Sequence, residues 1–225
     1  MYTKIDFKEL KEIQKQILKG VSLKDSGTEI KCIAAVSLTS KEKKMLCAVV
    51  VLDVETLSVL EEKQTVTDEL MQYSPNFVAF REGPSIVQTL KELEIKPDVI
   101  LIEGIGALLP YKVGTASYVG VLMNKPCLGV SKTLILGRLE EDKILVKEKE
   151  CGFALKTKEF ANPVYVTLGH NLSLENARLL MSKLINPEFK MPYQLHLSHK
   201  ALLKLKKDTG ASPVETGKIA VEQEA

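Results

Sequence analysis

Two hydrophobic patterns divide the chain, and together they predict a mixed β-sheet. Residues 31–39 and 45–54 are rich in β-branched side chains and flank a short charged turn, which predicts a β-hairpin, and residues 57–66 predict a third strand of the same meander. Residues 97–104 and 126–132 are continuous apolar runs, typical of strands buried on both faces. Because helical patterns separate these later runs, we expect them to be parallel strands covered by helices.

Helices are predicted where apolar residues recur three or four positions apart among charged ones. The predicted helices span residues 4–19, 84–94, 114–124, 173–185 and 198–207. Pro84 would then lie in a first helical turn, where proline is well tolerated. A further hairpin (143–149 and 152–158) and a strand (163–168) complete the pattern. The expected fold is α/β, with an antiparallel meander and parallel strands in one central sheet and helices on both faces.

Length and composition are those of an ordinary globular protein. The 225 residues are 45% hydrophobic and 27% charged, which suits one domain over residues 1–205 followed by a flexible polar tail over 206–225. The net charge of +2 permits a polyanionic partner without arguing for one. No apolar stretch approaches the ~20 residues that span a bilayer. We expect a cytoplasmic protein.

The cysteines support that expectation. No C-x-x-C pair exists, so neither a zinc knuckle nor a redox dithiol is indicated, and we expect reduced, free thiols. The four are Cys32, Cys47, Cys127 and Cys151.

Two glutamates stand where a metal ligand would be useful. Glu103 ends the apolar run 97–104, and the carboxyl ends of parallel strands are where active groups gather in open α/β sheets. A hard cation could use its oxygens there, although a solvated strand-end glutamate would look the same. Glu82 precedes Gly83 and Pro84 and is either a second ligand or a cap on the helix dipole.

Three other residues could take part in chemistry or binding. Lys132 ends a buried strand and could neutralise a phosphate, but the G-x-x-x-x-G-K-[ST] spacing of a phosphate loop is missing. His170 follows a strand and precedes a helix, where it could transfer a proton or simply satisfy backbone groups of a turn. Tyr73 lies in an expected exposed turn and either stacks on bases or packs on the adjacent loop. Arg81 is a phosphate contact or a carboxylate partner.

Three segments resemble the endonuclease V family, which recognises deoxyinosine in DNA and, in some members, inosine in RNA. They are QYSPNFVAFREGP (72–84), EGIGALLPYKVGTASYVGVLMNKPCLGVSKTLILG (103–137) and VYVTLGHNLSLENA (164–177). The likeness is collinear from about residue 30 to residue 200. It implies a ribonuclease H-like fold, dependence on Mg²⁺ or Mn²⁺, and hydrolysis of the second phosphodiester bond 3′ to the altered base, as in DNA repair. The substrate would be DNA or RNA, single-stranded or locally opened, and the protein a monomer.

The resemblance also assigns roles to residues. It implies Glu82 and Glu103 as metal ligands, with Lys132 at the phosphate and His170 beside the site, so that all four would be catalytic. Tyr73 would be the wedge that separates strands. The remaining nucleic-acid contacts implied by position are Pro75, Arg81, Gly104, Gly106, Lys112 and Gly129.

Several motif positions depart from the family pattern. The first metal-binding aspartate is Ser37 here, and the aspartate of the D-G-H-G motif is Glu103. The remaining departures are Gln72, Ile105, Leu109 and Tyr111, while Lys112 keeps one positive charge. A neutral hydroxyl competes poorly with water for Mg²⁺; the longer Glu103 could partly compensate, and Asp53 on the adjacent strand of the meander is a further carboxylate whose distance the sequence does not give.

Three functions therefore stand open. The chain is an active nuclease, a degenerate relative that binds altered nucleic acid without cutting, or a domain of this fold reused for protein interaction. Nothing in the sequence argues positively for the last.

Overall fold

Nine strands form one mixed sheet in the computed structural model, which describes the backbone of residues 6–108 and 112–210. The strands are β1 Cys32–Lys41, β2 Lys44–Asp53, β3 Val59–Asp68, β4 Val99–Glu103, β5 Ala107–Leu108, β6 Lys112–Val113, β7 Cys127–Ser131, β8 Arg138–Glu140, β9 Lys143–Val146, β10 Lys149–Leu155 and β11 Val164–His170. The helices are α1 Phe7–Gly20, α2 Val78–Lys91, α3 Thr115–Met123, α4 Leu174–Lys183 and α5 Tyr193–Asp208.

The order and direction of the strands determine which strand ends lie at the same rim of the sheet. The sheet runs β3-β2-β1-β4-β7-β11-β10-β9-β8, and β5 pairs with β6 in a separate two-stranded ribbon. Strands β1, β4 and β7 are parallel neighbours, so their carboxyl ends share one rim of the sheet. Strand β11 is antiparallel to β7 and ends at the other rim. The predicted meander and the parallel strands are both confirmed.

Helices cover both faces, as predicted, because β1 and β4 send alternate apolar side chains to opposite sides. On one face Ala35 and Leu101 pack in a cluster that includes Met181 of α4 and Leu195 of α5. The other cluster combines alternate residues of β1 and β4 with residues of α2 and α3: Ala34, Val36, Ile100, Ile102, Ile86, Leu90, Ala116 and Val119. The four cysteines are free. None of the described helices is long and apolar enough to cross a membrane.

Helix α2 begins six residues before its predicted start. It starts at Val78, so Pro84 lies inside the helix and not in its first turn. Phe77 and Phe80 are buried in a cluster with Ile17 of α1. That tertiary packing turns a short apolar run, which locally suits a strand, into the start of a helix.

Helix α5 also differs from its prediction. It begins at Tyr193 instead of residue 198 and continues to Asp208, so the expected domain boundary at residue 205 falls within a helix. Of the expected tail, residues 211–225 lie outside the described part of the chain. The turn of the second hairpin was placed too late, because Lys147 and Glu148 take positive φ values of 46° and 62° without the glycine that usually indicates such a turn.

Candidate active site

Glu103 lies at the rim where the parallel strands end. It is the last residue of β4 and pairs in register with Val130 of β7, and the next residue, Gly104, donates its N–H to the Val130 carbonyl at 3.0 Å. Pairing on both sides of β4 fixes the backbone there. The carboxylate is therefore held at a defined position, as the sequence predicts.

Three groups contact the Glu103 carboxylate, and a fourth lies behind one of them. The Ser37 hydroxyl donates to Oε2 at 3.1 Å, and His199 Nδ1 of α5 lies 3.3 Å from the same oxygen. Lys132 Nζ, just beyond β7, lies 3.1 Å from Oε1. The fourth is a second serine behind Ser37, Ser198 of α5, whose Oγ is 2.9 Å from the Ser37 Oγ. Residues from β1, β4, α5 and the chain after β7 thus converge on one carboxylate.

These neighbours keep Glu103 ionised. Burial alone would raise the pKa of the Glu103 carboxyl, but the contact with His199 and the charge of Lys132 outweigh it and lower that pKa to about 2. The side chain is 25% exposed, so solvent screens these charges only in part. A carboxylate at this rim is negatively charged at any physiological pH.

Ser37 puts a hydrogen-bond donor where the family pattern has the carboxylate of an aspartate. It is fully buried, and its single hydroxyl hydrogen goes to Glu103. The Ser198 hydroxyl has one hydrogen, which it can donate either to the Ser37 oxygen at 2.9 Å or to the Leu195 carbonyl at 3.1 Å. The arrangement satisfies Ser37 without any cation.

Asp53 cannot replace the missing aspartate. In the pairing of β1 with β2, Asp53 lies opposite Cys32 and Ser37 lies opposite Ala48. Five residues of strand put Asp53 about 17 Å from Ser37 along β1. Its carboxylate accepts hydrogen bonds from the backbone of Thr56 at 2.8 Å, within its own turn.

Glu82 lies in the second turn of α2, not at the end of a strand or in front of a helix as the sequence suggested. The residue keeps some exposed surface, but protein surrounds its carboxyl group, and this burial raises the pKa of Glu82. One hydroxyl, that of Thr115 at the start of α3, donates to Oε2 at 2.7 Å. Gly83 permits the close approach of α2 and α3, since a Cβ there would lie 2.2 Å from the Tyr118 ring.

Thr115 connects Glu82 to the rim that carries Glu103. A Cβ built on Gly104 would lie 4.0 Å from the Thr115 Cβ, so Thr115 is a neighbour of the turn that follows Glu103. The two glutamates therefore lie near the same rim. Each carboxylate has its own partners, and no described contact joins them.

His170 is at the wrong rim, so the expectation that it lies beside Glu103 is wrong. It ends β11 and pairs opposite Cys127, the first residue of β7, whereas Glu103 pairs opposite Val130 near the other end of β7. The offset along the strands is about 10 Å, before the lateral distance between strands is added. His170 Nδ1 accepts the Ser22 N–H at 3.2 Å, and burial lowers the pKa of His170.

The turn before α2 carries one exposed aromatic side chain. Tyr73 is 55% exposed, and Pro75 is exposed at the neighbouring turn, as expected of a wedge. Arg81 takes the alternative of a carboxylate partner: it binds Glu69, donates to the Ser40 hydroxyl at 2.5 Å, and is only 13% exposed. Arg81 is therefore not available as a direct phosphate contact. Its guanidinium lies 5.7 Å from the centre of the Tyr73 ring and supports that side chain.

Two of the three predicted binding glycines serve packing between loop and sheet. A Cβ on Gly129 would lie 2.4 Å from the Gly106 nitrogen, and one on Gly106 would lie 2.3 Å from the Leu168 carbonyl oxygen. A Cβ on Gly104 would make only ordinary van der Waals contacts, at 3.7 Å from Ile102 and 4.0 Å from Thr115. Lys112 begins β6, and Leu109 and Tyr111 lie outside the described residues.

His199 is the site residue that sequence reasoning missed. The helix around it was predicted, but no local pattern distinguishes it from His196 three residues earlier. It reaches the site because α5 packs across β1 and β2, far away in sequence.

The donor set fits a loosely held divalent cation. His199 Nδ1 is buried and has no hydrogen bond of acceptable geometry among the described residues, so this nitrogen and the Glu103 carboxylate would be the donors to such a cation. No group of three or more His, Cys, Asp or Glu in the described residues could enclose a metal. Mg²⁺ tolerates this, since it commonly takes one or two carboxylates and completes its shell with water and phosphate.

The sheet order and the carboxylate at the end of β4 define a ribonuclease H-like nuclease fold. The Endonuclease V family model matches residues 12–200. The endonuclease V of Dictyoglomus thermophilum is 30% identical over 203 residues, covering 87% of this chain and 89% of that protein. This chain belongs to the endonuclease V family.

Solved structures agree with that assignment. The endonuclease V of Streptomyces avermitilis superposes with a TM-score of 0.84 at 27% identity, over 94% of this chain and 96% of that one. The endonuclease V of Ciona intestinalis, solved in complex with a 24mer DNA that contains an inosine followed by a ribo-adenosine, gives a TM-score of 0.80 at 19% identity, over 90% of this chain and 98% of that one.

Proposed function

We propose that the protein is a metal-dependent endonuclease that hydrolyses the second phosphodiester bond 3′ to deoxyinosine or inosine, in a single-stranded or locally opened strand. The observation that carries this proposal is the Glu103 carboxylate, held ionised at the rim with Lys132 and His199 against it. Membership of the endonuclease V family supports the reaction class. The inosine bound by the Ciona protein supports the choice of base.

Each rim residue has a role that its surroundings allow. Glu103 and His199, with Glu82 nearby, would hold Mg²⁺ or Mn²⁺, which when bound activates water and neutralises phosphate charge. Lys132 is half exposed and reaches the rim from solvent, so its ammonium can exchange Glu103 for a phosphate oxygen and stabilise the charge that develops there. Ser37 keeps the Glu103 carboxylate oriented.

A second function is favoured by the same serine. Ser37 and Lys132 together satisfy Glu103 without a cation, and a protein with such a site would bind altered nucleic acid without cutting it. The exposed Tyr73 would serve either function, because stacking on a base needs no metal. The two functions differ in product and not in binding.

A cleavage assay separates them. Purified protein with Mg²⁺ or Mn²⁺ is mixed with 5′-labelled single-stranded DNA or RNA that carries one inosine, and with the same strand carrying adenosine. We expect nicking at one fixed 3′ position of the inosine strand only. The matched control is Glu103→Gln, which keeps the side-chain size and removes the charge, and its rate should fall at least 100-fold. Tight binding without product over hours would favour the non-cutting relative.

A further inference from the structure

Helix α5 extends away from the active site and carries several positive charges. Ser198 and His199 contact the Ser37 and Glu103 side chains, and nine further residues of helix follow before the end at Asp208. Residues 189–207 contain five lysines and no aspartate or glutamate. Because the whole chain carries only +2, this concentration of charge is local.

Three of these lysines lie on the face of α5 that points away from the sheet. Gln194, Leu195, Ser198, Ala201 and Leu202 are buried, and the helix packs on β1 and β2. Lys200, Lys204 and Lys207 are exposed at a spacing of four and three residues, which places them along one side of a helix. We call these three residues the α5 strip.

Carboxylates do not neutralise the α5 strip, in contrast to some lysines elsewhere on the surface. Lys15 pairs with Glu12 and Lys44 with Asp68, each within 2.7 Å. No ammonium group of the strip forms an ion pair with any residue in 6–108 or 112–210. Unpaired cations in a row are the electrostatic pattern that a phosphate backbone binds.

We propose that the nucleic-acid strand passes from the Glu103 site along the outer face of α5, with Lys200, Lys204 and Lys207 contacting its phosphates. This rests on the proposed function, since it extends the path of the same substrate. The strip covers about 10 Å of helix at 1.5 Å per residue, which is about three steps of 3.4 Å along the axis of a duplex and fewer steps of an extended single strand. His199 fixes the near end of the path because it touches the Glu103 carboxylate.

Salt dependence of binding tests the path. The probe is a fluorescein-labelled 30-nucleotide single strand, with and without one inosine, titrated in EDTA and followed by anisotropy between 50 and 200 mM KCl. The variant is Lys200→Gln/Lys204→Gln/Lys207→Gln, since glutamine keeps the helix propensity of lysine. Each lost phosphate contact should lower the slope of log K against log[salt] by about 0.7. We expect a total reduction of about 2 and at least tenfold weaker binding at 100 mM.

A matched control removes the same charge elsewhere. Lys143, Lys149 and Lys158 are exposed, and the first two begin β9 and β10 at the far side of the sheet. Their triple change to glutamine should leave slope and affinity near those of the parent. Equal losses in both triple variants would mean a general charge effect and would overturn the proposed path. The path would also be overturned if the α5 variant kept the same slope of log K against log[salt] as the parent.

The outcomes separate this proposal from the proposed function. If the parent binds both strands without cutting either, and the α5 variant alone loses salt dependence, the path is right and the nuclease assignment is wrong. If the parent nicks the inosine strand and the α5 variant binds like the parent, the path is wrong. A parent that binds neither strand in EDTA and nicks neither strand with Mg²⁺ or Mn²⁺ overturns both.

Discussion

Glu103 and Glu82 lie near the same rim, and the protein surrounds them in opposite ways. Glu103 has a lysine, a histidine and a serine hydroxyl against its carboxylate, and its pKa is lowered to about 2. Glu82 has one threonine hydroxyl, and burial raises its pKa. The difference shows that the protein already compensates the negative charge of Glu103, whereas no positively charged group of the described residues lies equally close to the Glu82 carboxylate.

A shared metal would reduce this contrast. A divalent cation near Glu82 would supply the positive charge that Thr115 cannot, and it would compete with Lys132 for Glu103. Variants that change one environment at a time can therefore test whether the rim is organised for a cation or is complete without one.

The largest effect is expected from Ser37→Asp. A second carboxylate, buried beside the Glu103 Oε2, should lower the free energy of unfolding in EDTA by about 3 kcal/mol, the order of a buried uncompensated charge. Mg²⁺ or Mn²⁺ should restore most of that loss and raise the cutting rate at least tenfold. Urea unfolding with and without the metal measures the first effect, and the cleavage assay measures the second.

Ser37→Asn is the matched control for size. It adds nearly the same volume without charge, so the metal should stabilise it no more than it stabilises the parent. If Ser37→Asp and Ser37→Asn lose the same stability and neither responds to Mn²⁺, crowding at this position is the cause, and the rim does not hold a cation at Ser37.

The sequence predicted the position of one of the two glutamates but not of the other. The apolar run that ends at Glu103, and the family motifs around it, placed this residue correctly. The position of Glu82 was missed because Phe77 and Phe80 pack against α1, a contact that local pattern does not contain. A short apolar run of this kind suits strand and helix equally.

The direction of strand β11 was the other feature that the sequence did not reveal. His170 was assigned to the site because it follows an apolar strand, but β11 runs antiparallel to β7 and ends at the opposite rim. Residues 138–155 form three strands that follow β7 and precede β11 in the sequence, and nothing in their hydrophobic pattern indicates on which side of β7 the chain returns. His199 was missed for the related reason that its partner is set by the packing of α5 across the sheet.

A smaller effect of opposite sign is expected from Glu82→Gln. The amide oxygen can still accept from Thr115, while the cost of burying a charge disappears. In EDTA at neutral pH the variant should be more stable by about 1 kcal/mol, the order of a desolvation penalty. Urea unfolding measures this, and the cleavage assay should show a loss of activity.

The control for Glu82→Gln is Thr115→Val, which keeps the shape and removes the one donor to Glu82. It should lower stability where Glu82→Gln raises it. If both variants are destabilised in EDTA, then the Glu82 charge is compensated within the folded protein, and the contrast with Glu103 does not hold.

The smallest effect on stability is expected from Lys132→Met. The Lys132 side chain is 48% exposed, so its ion pair with Glu103 should contribute only about 0.5 kcal/mol, as is usual for pairs open to solvent. His199 and Ser37 still hold the Glu103 carboxylate in this variant, and Mn²⁺ should protect it from unfolding at a lower concentration than it protects the parent, because no ammonium competes for Oε1. Thermal unfolding across a Mn²⁺ titration measures both. A stability loss above about 2 kcal/mol, in the range of a broken buried pair, or a higher Mn²⁺ requirement, would mean that Lys132 is the permanent counter-ion of Glu103 and that the rim does not exchange it for a metal.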